Sequence, residues 1–266
     1  MTFSLSVFAV EEGKGCINRK TENEFNGAVI HGPVSEGKCM KCHSPHASAT
    51  KKGLKADIPA LCLGCHDKAV RDNKNRLLPS LKAVLEDSNI VRHKPFADGD
   101  CLCCHDPHVS SHYRLLNDDH TTSFYTSYSK EKYICFNCHS EKAFSEPRTL
   151  TDTNFRNGNL NLHYRHVNRR KGRSCQVCHH HHASRNAALI REKMSFGERE
   201  INITEFEKIG NGGKCAPSCH SVAQYDRLEP FRNSIKGTER KGKDAKYEDL
   251  MQALKNLPGN PDAKTH

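Results

Sequence analysis

Tryptophan is absent from the 266 residues, and Leu, Ile, Val and Phe together make up only about 19% of them. That share lies just under the roughly 20% below which a chain struggles to assemble an ordinary apolar core. A conventional single-core globular domain is excluded on that ground. No stretch approaches the ~18 consecutive apolar residues that a membrane-spanning helix needs. A chain so poor in core-forming side chains either stays disordered or folds around something that it does not encode.

Cysteine and histidine, by contrast, are abundant, at 14 and 18 residues. Five cysteine pairs have the form C-x-x-C-H: Cys39/Cys42/His43, Cys62/Cys65/His66, Cys101/Cys104/His105, Cys135/Cys138/His139 and Cys175/Cys178/His179. A sixth, Cys215-Ala-Pro-Ser-Cys219-His220, is the same arrangement with one residue more. Two thiols three residues apart lie on one side of a helical turn, where both can add to the two vinyl groups of a haem. The His that follows then reaches the iron as proximal ligand. Zinc sites do not require His after every second Cys. Disulfide scaffolds are typically short chains with no reason to place it there. The spacing therefore predicts six covalently bound haems c.

The motifs fall into a repeat. His31-Gly-Pro-Val-Ser-Glu-Gly-Lys leads into Cys39, His93-Lys-Pro-Phe-Ala-Asp-Gly-Asp into Cys101 and, more loosely, the segment from His166 into Cys175. A trailing His follows each of these three motifs, at His46, His108 and His182, and the motifs at Cys62, Cys135 and Cys215 lack one. The chain reads as three copies of a two-haem unit. Each unit supplies two proximal and two further histidines, hence two axial ligands for each of six irons: His43, His66, His105, His139, His179 and His220 on one face, His31, His46, His93, His108, His166 and His182 on the other. His46 is too close in sequence to His43 to reach the far face of the same haem. It is assigned to a neighbour, most simply the second haem of its pair, with His31 on the first; a haem of another unit or subunit is the alternative.

These residues resemble the doubled-C-x-x-C-H multihaem cytochromes c of metal-reducing and related anaerobic bacteria. The resemblance is carried by H-x-P-x-x-x-G-x-C-x-x-C-H-x-P-H followed by Leu-Cys-x-x-Cys-His, seen best from His31 to His66. It spans roughly residues 31–220 and weakens in the third unit, where the prolines are missing. It implies a periplasmic or extracellular electron carrier whose bis-histidine haems stack in a chain.

The expected organisation is a signal-peptide remnant at 1–10, an N-terminal lead at 11–30, two-haem units at 31–92, 93–162 and 163–220, and a basic C-terminal tail at 221–266. The expected fold is mostly irregular, with short α-helices and little β, and the haems form its core. Met1–Val10 resembles the last part of a signal peptide with a cleavage site near Ala9. Gly13-Lys-Gly before Cys16 does not look like a lipidation site. Leu77–Glu86 has the apolar spacing of a short helix starting near Pro79. Leu189–Ile209 alternates around Gly197 like a hairpin, and Tyr247–Leu257 reads as a helix in a solvated tail.

Cys16 and Cys103 remain after the haem sites are counted, either as a disulfide or as free buried thiols. His112, His120, His163, His180, His181 and His266 are surplus, and His163 competes with His166 for one ligand role. The formal charge of +10, with clusters at Arg169–Arg173 and Arg240–Lys243, invites a nucleic-acid reading. No aromatic residues interleave with these runs, however, and about one negative charge per ferric haem would lower the total to roughly +4.

Three functions compete. The first is electron transfer without substrate chemistry, through low-spin haems in the cell envelope or extracellular space during anaerobic metal or mineral respiration, with other envelope redox proteins as partners and neither nucleic acid nor a transmembrane segment involved. The second is a multihaem reductase of nitrite, hydroxylamine or sulfur oxyanions. It needs an open coordination position, which two histidines per iron do not leave, and no C-x-x-C-K motif is present. The third is a subunit of a cytochrome filament or outer-membrane conduit.

Overall fold

A computed structural model of the chain describes residues 29–44, 50, 53–71, 75, 77–169, 171–217 and 219–233. The 1–10 remnant, nearly all of the 11–30 lead, Cys16, His46, the basic cluster at 240–243, the helix expected at 247–257 and His266 lie outside them.

The described residues form seven helices of four to six residues: α1 Gly32–Ser35, α2 Ile58–Leu63, α3 Leu81–Glu86, α4 Lys94–Ala97, α5 Lys142–Ser145, α6 Leu162–Val167 and α7 Cys175–Cys178. The strands are β1 Val29–Ile30, β2 Val70–Arg71, β3 Leu77–Leu78, β4 Val91–Arg92, β5 Val109–Ser110, β6 Tyr125–Thr126, β7 Arg156–Asn157, β8 Leu160–Asn161, β9 Gly172–Arg173, β10 Ala183–Ser184, β11 Lys193–Phe196, β12 Arg199–Ile209, β13 Gly212–Pro217 and β14 Ala223–Asp226. The expectation of little β is overturned by these six small sheets. Five of them are two-residue ladders, which satisfy backbone groups in a chain with few helices to do so. The sixth is a four-stranded antiparallel meander, β11-β12-β13-β14. The hairpin expected around Gly197 is its first half, with Lys193 opposite Asn202 and Gly197 at φ +59° in the turn. The helix expected near Pro79 begins at Leu81, where the Ser80 hydroxyl accepts from the Ala83 N–H at 3.1 Å.

The chain divides into two compact units. The first, Met1–Glu141 with Arg170–Arg191, carries the five regular motifs, and the second, Lys142–Arg169 with Glu192–His266, carries the extended one. Within the first, β1 pairs with β5 and β4 with β10, so the start of one repeat is laced to the end of the next repeat's first motif. Gly37 and Gly99, the glycines of the leading segments, take φ of +68° and +75°. At Gly99 an added Cβ would stand 2.9 Å from Pro59 Cβ, so a left-handed turn and a close neighbour both require glycine just ahead of the motif.

In the second unit α6 is capped by Asn161, whose side chain is fully buried. Its amide donates to the Ala143 and Glu146 carbonyls at 3.1 and 2.9 Å, and its oxygen accepts from the Tyr164 N–H at 3.1 Å. Across both units, Tyr133, Val167, Val177, Ala183, Ile203 and Tyr225 are the buried apolar side chains among the described residues. That is far too little to hold a chain of this length by the hydrophobic effect alone.

Candidate metal centres

Five motifs begin on a helical turn. The turn is 3-10 at Cys39–Lys41, Cys101–Cys103 and Ile134–Asn137, α in α7, and the end of α2 for Cys62. The same bond closes each: the backbone N–H of His43, His66, His105, His139 and His179 donates to the carbonyl of Cys39, Cys62, Cys101, Cys135 and Cys175, at 2.9–3.1 Å. The sixth is built differently. Cys215 lies inside β13, paired with Phe206 on one side and Ala223 on the other, and His220 N–H donates to the Pro217 carbonyl at 3.2 Å. A strand followed by a turn absorbs the additional residue.

Each of five motif histidines faces another histidine. His66 stands over His31, with ring centroids 6.4 Å apart and planes 11° from parallel. His43 faces His108 and His139 faces His93, both at 6.0 Å and 17°. His105 faces His182 at 6.1 Å, and in the second unit His220 faces His166 at 6.5 Å, tilted by 38° and 40°. Two imidazoles bound to one metal need a metal–nitrogen bond of ~2 Å on each side and about 1 Å more from nitrogen to ring centre, hence about 6 Å between centres. The observed gaps match that spacing. Inside the first repeat the leading His31 faces the second motif, and the first motif is faced by His108 of the next repeat.

Hydrogen bonds set the tautomers. Nδ1 of His31, His105, His166, His179 and His220 lies 2.6–3.1 Å from the carbonyls of Pro107, Arg114, Leu162, Ala188 and Ser221 respectively. A carbonyl only accepts, so Nδ1 carries the proton and Nε2 keeps its lone pair for a metal. Arg114 and Ala188 occupy the left-handed region, at φ +57° and +54°, as do Leu115 and Leu189 beside them. Two repeats thus spend the same backbone strain on aiming a carbonyl at a motif histidine. Sequence reasoning passed over these residues, although Tyr113-Arg-Leu-Leu and Ala187-Ala-Leu-Ile stand at equal offsets from their motifs. Burial holds His66, His105 and His179 below the ordinary imidazole pKa and pushes His182 down to about 4, which keeps them in the neutral, metal-binding form.

The cysteines are compatible with covalent attachment. The motif cysteines from Cys42 onward form no disulfide. Cys39 is disulfide-bonded, a bond that must open before its sulfur can join a haem. Cys62 neighbours Cys101 and Cys135 neighbours Cys175, so the second motif of one repeat meets the first of the next, and that neighbour lowers the pKa of Cys101 and Cys135 and favours their thiolates, the reactive form. Cys103 is a free, exposed thiol, neither bridged nor buried.

Exposure differs within three of the cysteine pairs. Cys65, Cys138 and Cys219 are exposed, whereas the first cysteines of their pairs, Cys62, Cys135 and Cys215, are half-buried. Cys138 follows the last residue of its 3-10 turn, at φ −128°, ψ −36°, with its N–H donating to the Cys135 carbonyl at 3.3 Å. Cys135 is the member of the pair that packs against another motif, through Cys175, and Cys138 is left at the solvent edge.

Among the surplus histidines, His163 points Nδ1 at the Thr153 hydroxyl, 2.8 Å away, while His166 is the one opposite His220. His120 is buried with neither ring nitrogen hydrogen-bonded, edge-on to His181 at 4.7 Å. A buried imidazole left in that state costs about 1–3 kcal/mol. The orphaned nitrogens, the ring gaps and the scarcity of buried apolar side chains all fit a chain folded around haem.

Residues 31–71 and 93–144 match a family model described as the doubled CXXCH motif. The match is consistent with a multihaem cytochrome c, a class that binds haem c covalently and works in electron transfer. Neither the curated proteins nor the solved structures contain a match to the chain. Among the described residues no helix is long and apolar enough to cross a membrane.

Proposed function

We propose that this chain, which carries the doubled motif of the multihaem cytochromes c, binds six haems and relays electrons between other redox proteins of the cell envelope or extracellular space. Cys39/Cys42, Cys62/Cys65, Cys101/Cys104, Cys135/Cys138, Cys175/Cys178 and Cys215/Cys219 hold them. The observation that carries the reading is the set of five facing histidine pairs at 6.0–6.5 Å. An iron with an imidazole on each face has no position left for a substrate and changes little between its two oxidation states, which suits outer-sphere transfer. Haem is attached to Cys outside the cytoplasm, which makes the working compartment the periplasm or beyond. Anaerobic respiration with a metal or mineral as final acceptor is the setting that the motif suggests.

Spectroscopy of the holoprotein tests this. The oxidised protein is expected to be wholly low-spin, and the reduced protein to leave carbon monoxide unbound while passing electrons to a second cytochrome. A high-spin fraction near one haem in six, with turnover of nitrite, hydroxylamine or sulfite, would replace the carrier by a reductase. Electron microscopy of the same material separates a discrete carrier from a filament subunit.

A further inference from the structure

We infer that the two distal ligands of each of the first two repeats arrive together as one clip, formed where the leading histidine of a repeat meets the trailing histidine of the repeat after it. The inference deepens the bis-histidine reading and rests on it.

The clip is a backbone structure. β1 runs antiparallel to β5, with Val29 opposite Ser110 and Ile30 opposite Val109, and His31 N–H continues the ladder to the His108 carbonyl at 3.0 Å. β4 and β10 repeat the arrangement, with Val91 opposite Ser184 and Arg92 opposite Ala183, and His93 N–H bonds the His182 carbonyl at 2.8 Å. Each leading histidine is the N-cap of a four-residue helix with proline in its first turn, at φ −63°, ψ 136° for His31 and φ −65°, ψ 135° for His93. The two joints are copies of one another, although the sequences around them differ.

From each joint the two rings go to different motifs. His31 faces His66 and His108 faces His43, so one joint serves both motifs of the first repeat. His93 faces His139 and His182 faces His105, so the other serves both motifs of the second. Neither repeat closes both of its own irons. The distal ligand of its first haem belongs to the next repeat, and the ladder that holds it also holds the ligand of its second haem. Separating two repeats would strip a ligand from iron, so the spacing on which electron transfer depends is locked by coordination as well as by packing.

Pairwise removal in the holoprotein tests the assignment. His108→Ala is expected to produce a high-spin, carbon-monoxide-binding signal of about one haem in six. That signal should vanish when Cys39→Ala and Cys42→Ala remove the first haem, and persist when Cys62→Ala and Cys65→Ala remove the second. His31→Ala should show the opposite dependence. Should the alanine variants not accumulate, His108→Met keeps a sixth ligand and raises the potential of one haem, and this raised component should disappear with the first haem. A His108 signal that survives loss of the first haem, or is lost with the second, overturns the clip. A high-spin signal already present in the unmodified protein overturns the bis-histidine reading beneath it.

Discussion

The His220 backbone N–H donates to the Pro217 carbonyl at 3.2 Å, whereas the other five motif histidines donate to the first cysteine of their own pair. The sixth site thus holds its histidine by a different local structure, a strand instead of a helical turn. It still brings His220 to within 6.5 Å of His166. Intact-mass measurement of the mature protein is expected to show six haems. Replacing Cys215 and Cys219 by Ala should remove one and leave five low-spin. Five in the unmodified chain would mean that the strand-borne site is not loaded.

Asn161 caps α6 and ties it to the Ala143 carbonyl of α5 and to the Glu146 carbonyl just after that helix, and α6 carries His166. Asn161→Ala leaves those carbonyls unsatisfied and should cost about 3 kcal/mol. Denaturant unfolding of the holoprotein measures the loss. The same variant should show a high-spin fraction confined to the haem at Cys215/Cys219, absent once that haem is removed.

Gly99 combines φ +75° with an approach to Pro59 that leaves no room for a methyl group. Gly99→Ala is expected to destabilise the holoprotein by about 1–2 kcal/mol. Pro59→Ala in the same chain should return part of that loss, and equal destabilisation with and without Pro59 would show that backbone strain alone is responsible.

Six buried apolar side chains among the described residues are too few to stabilise a fold of this size. Apo-protein made without the haem-attachment machinery is therefore expected to be largely unfolded by circular dichroism. A cooperative thermal transition in haem-free material would contradict this.

The chemistry of the sites was legible in the residue order. Cys-x-x-Cys-His puts two thiols and an imidazole on one turn through local geometry alone, and five of the six motifs form that turn closed by the same i to i−4 bond. Spacing to Cys175 favours His166 over His163, and it is His166 whose ring lies opposite His220. Exposure could not: Cys135 and Cys138 are equivalent in the motif, and only the meeting of Cys135 with Cys175 leaves Cys138 in solvent. The four-stranded meander was only half visible: the alternation around Gly197 marks β11 and β12, but β13 carries Gly212, Gly213 and Pro217, and β14 is only four residues long. An added Cβ at Gly212 would fall 1.8 Å from the Tyr225 carbonyl oxygen, a contact visible only once the strands are paired.

What the sequence by itself determined is which side chains can bond to haem, because covalent spacing along the chain decides that. Which distal histidine faces which motif was decided by tertiary structure alone. His31 precedes His43 by 12 residues and His66 by 35, so nearness along the chain points to His43, yet its ring lies opposite His66. The ladders β1–β5 and β4–β10 make the choice, since two backbone segments from successive repeats satisfy each other's hydrogen bonds and aim the rings beside them at different motifs. Long-range pairing of this kind depends on how the repeats meet, and repeat spacing does not encode it.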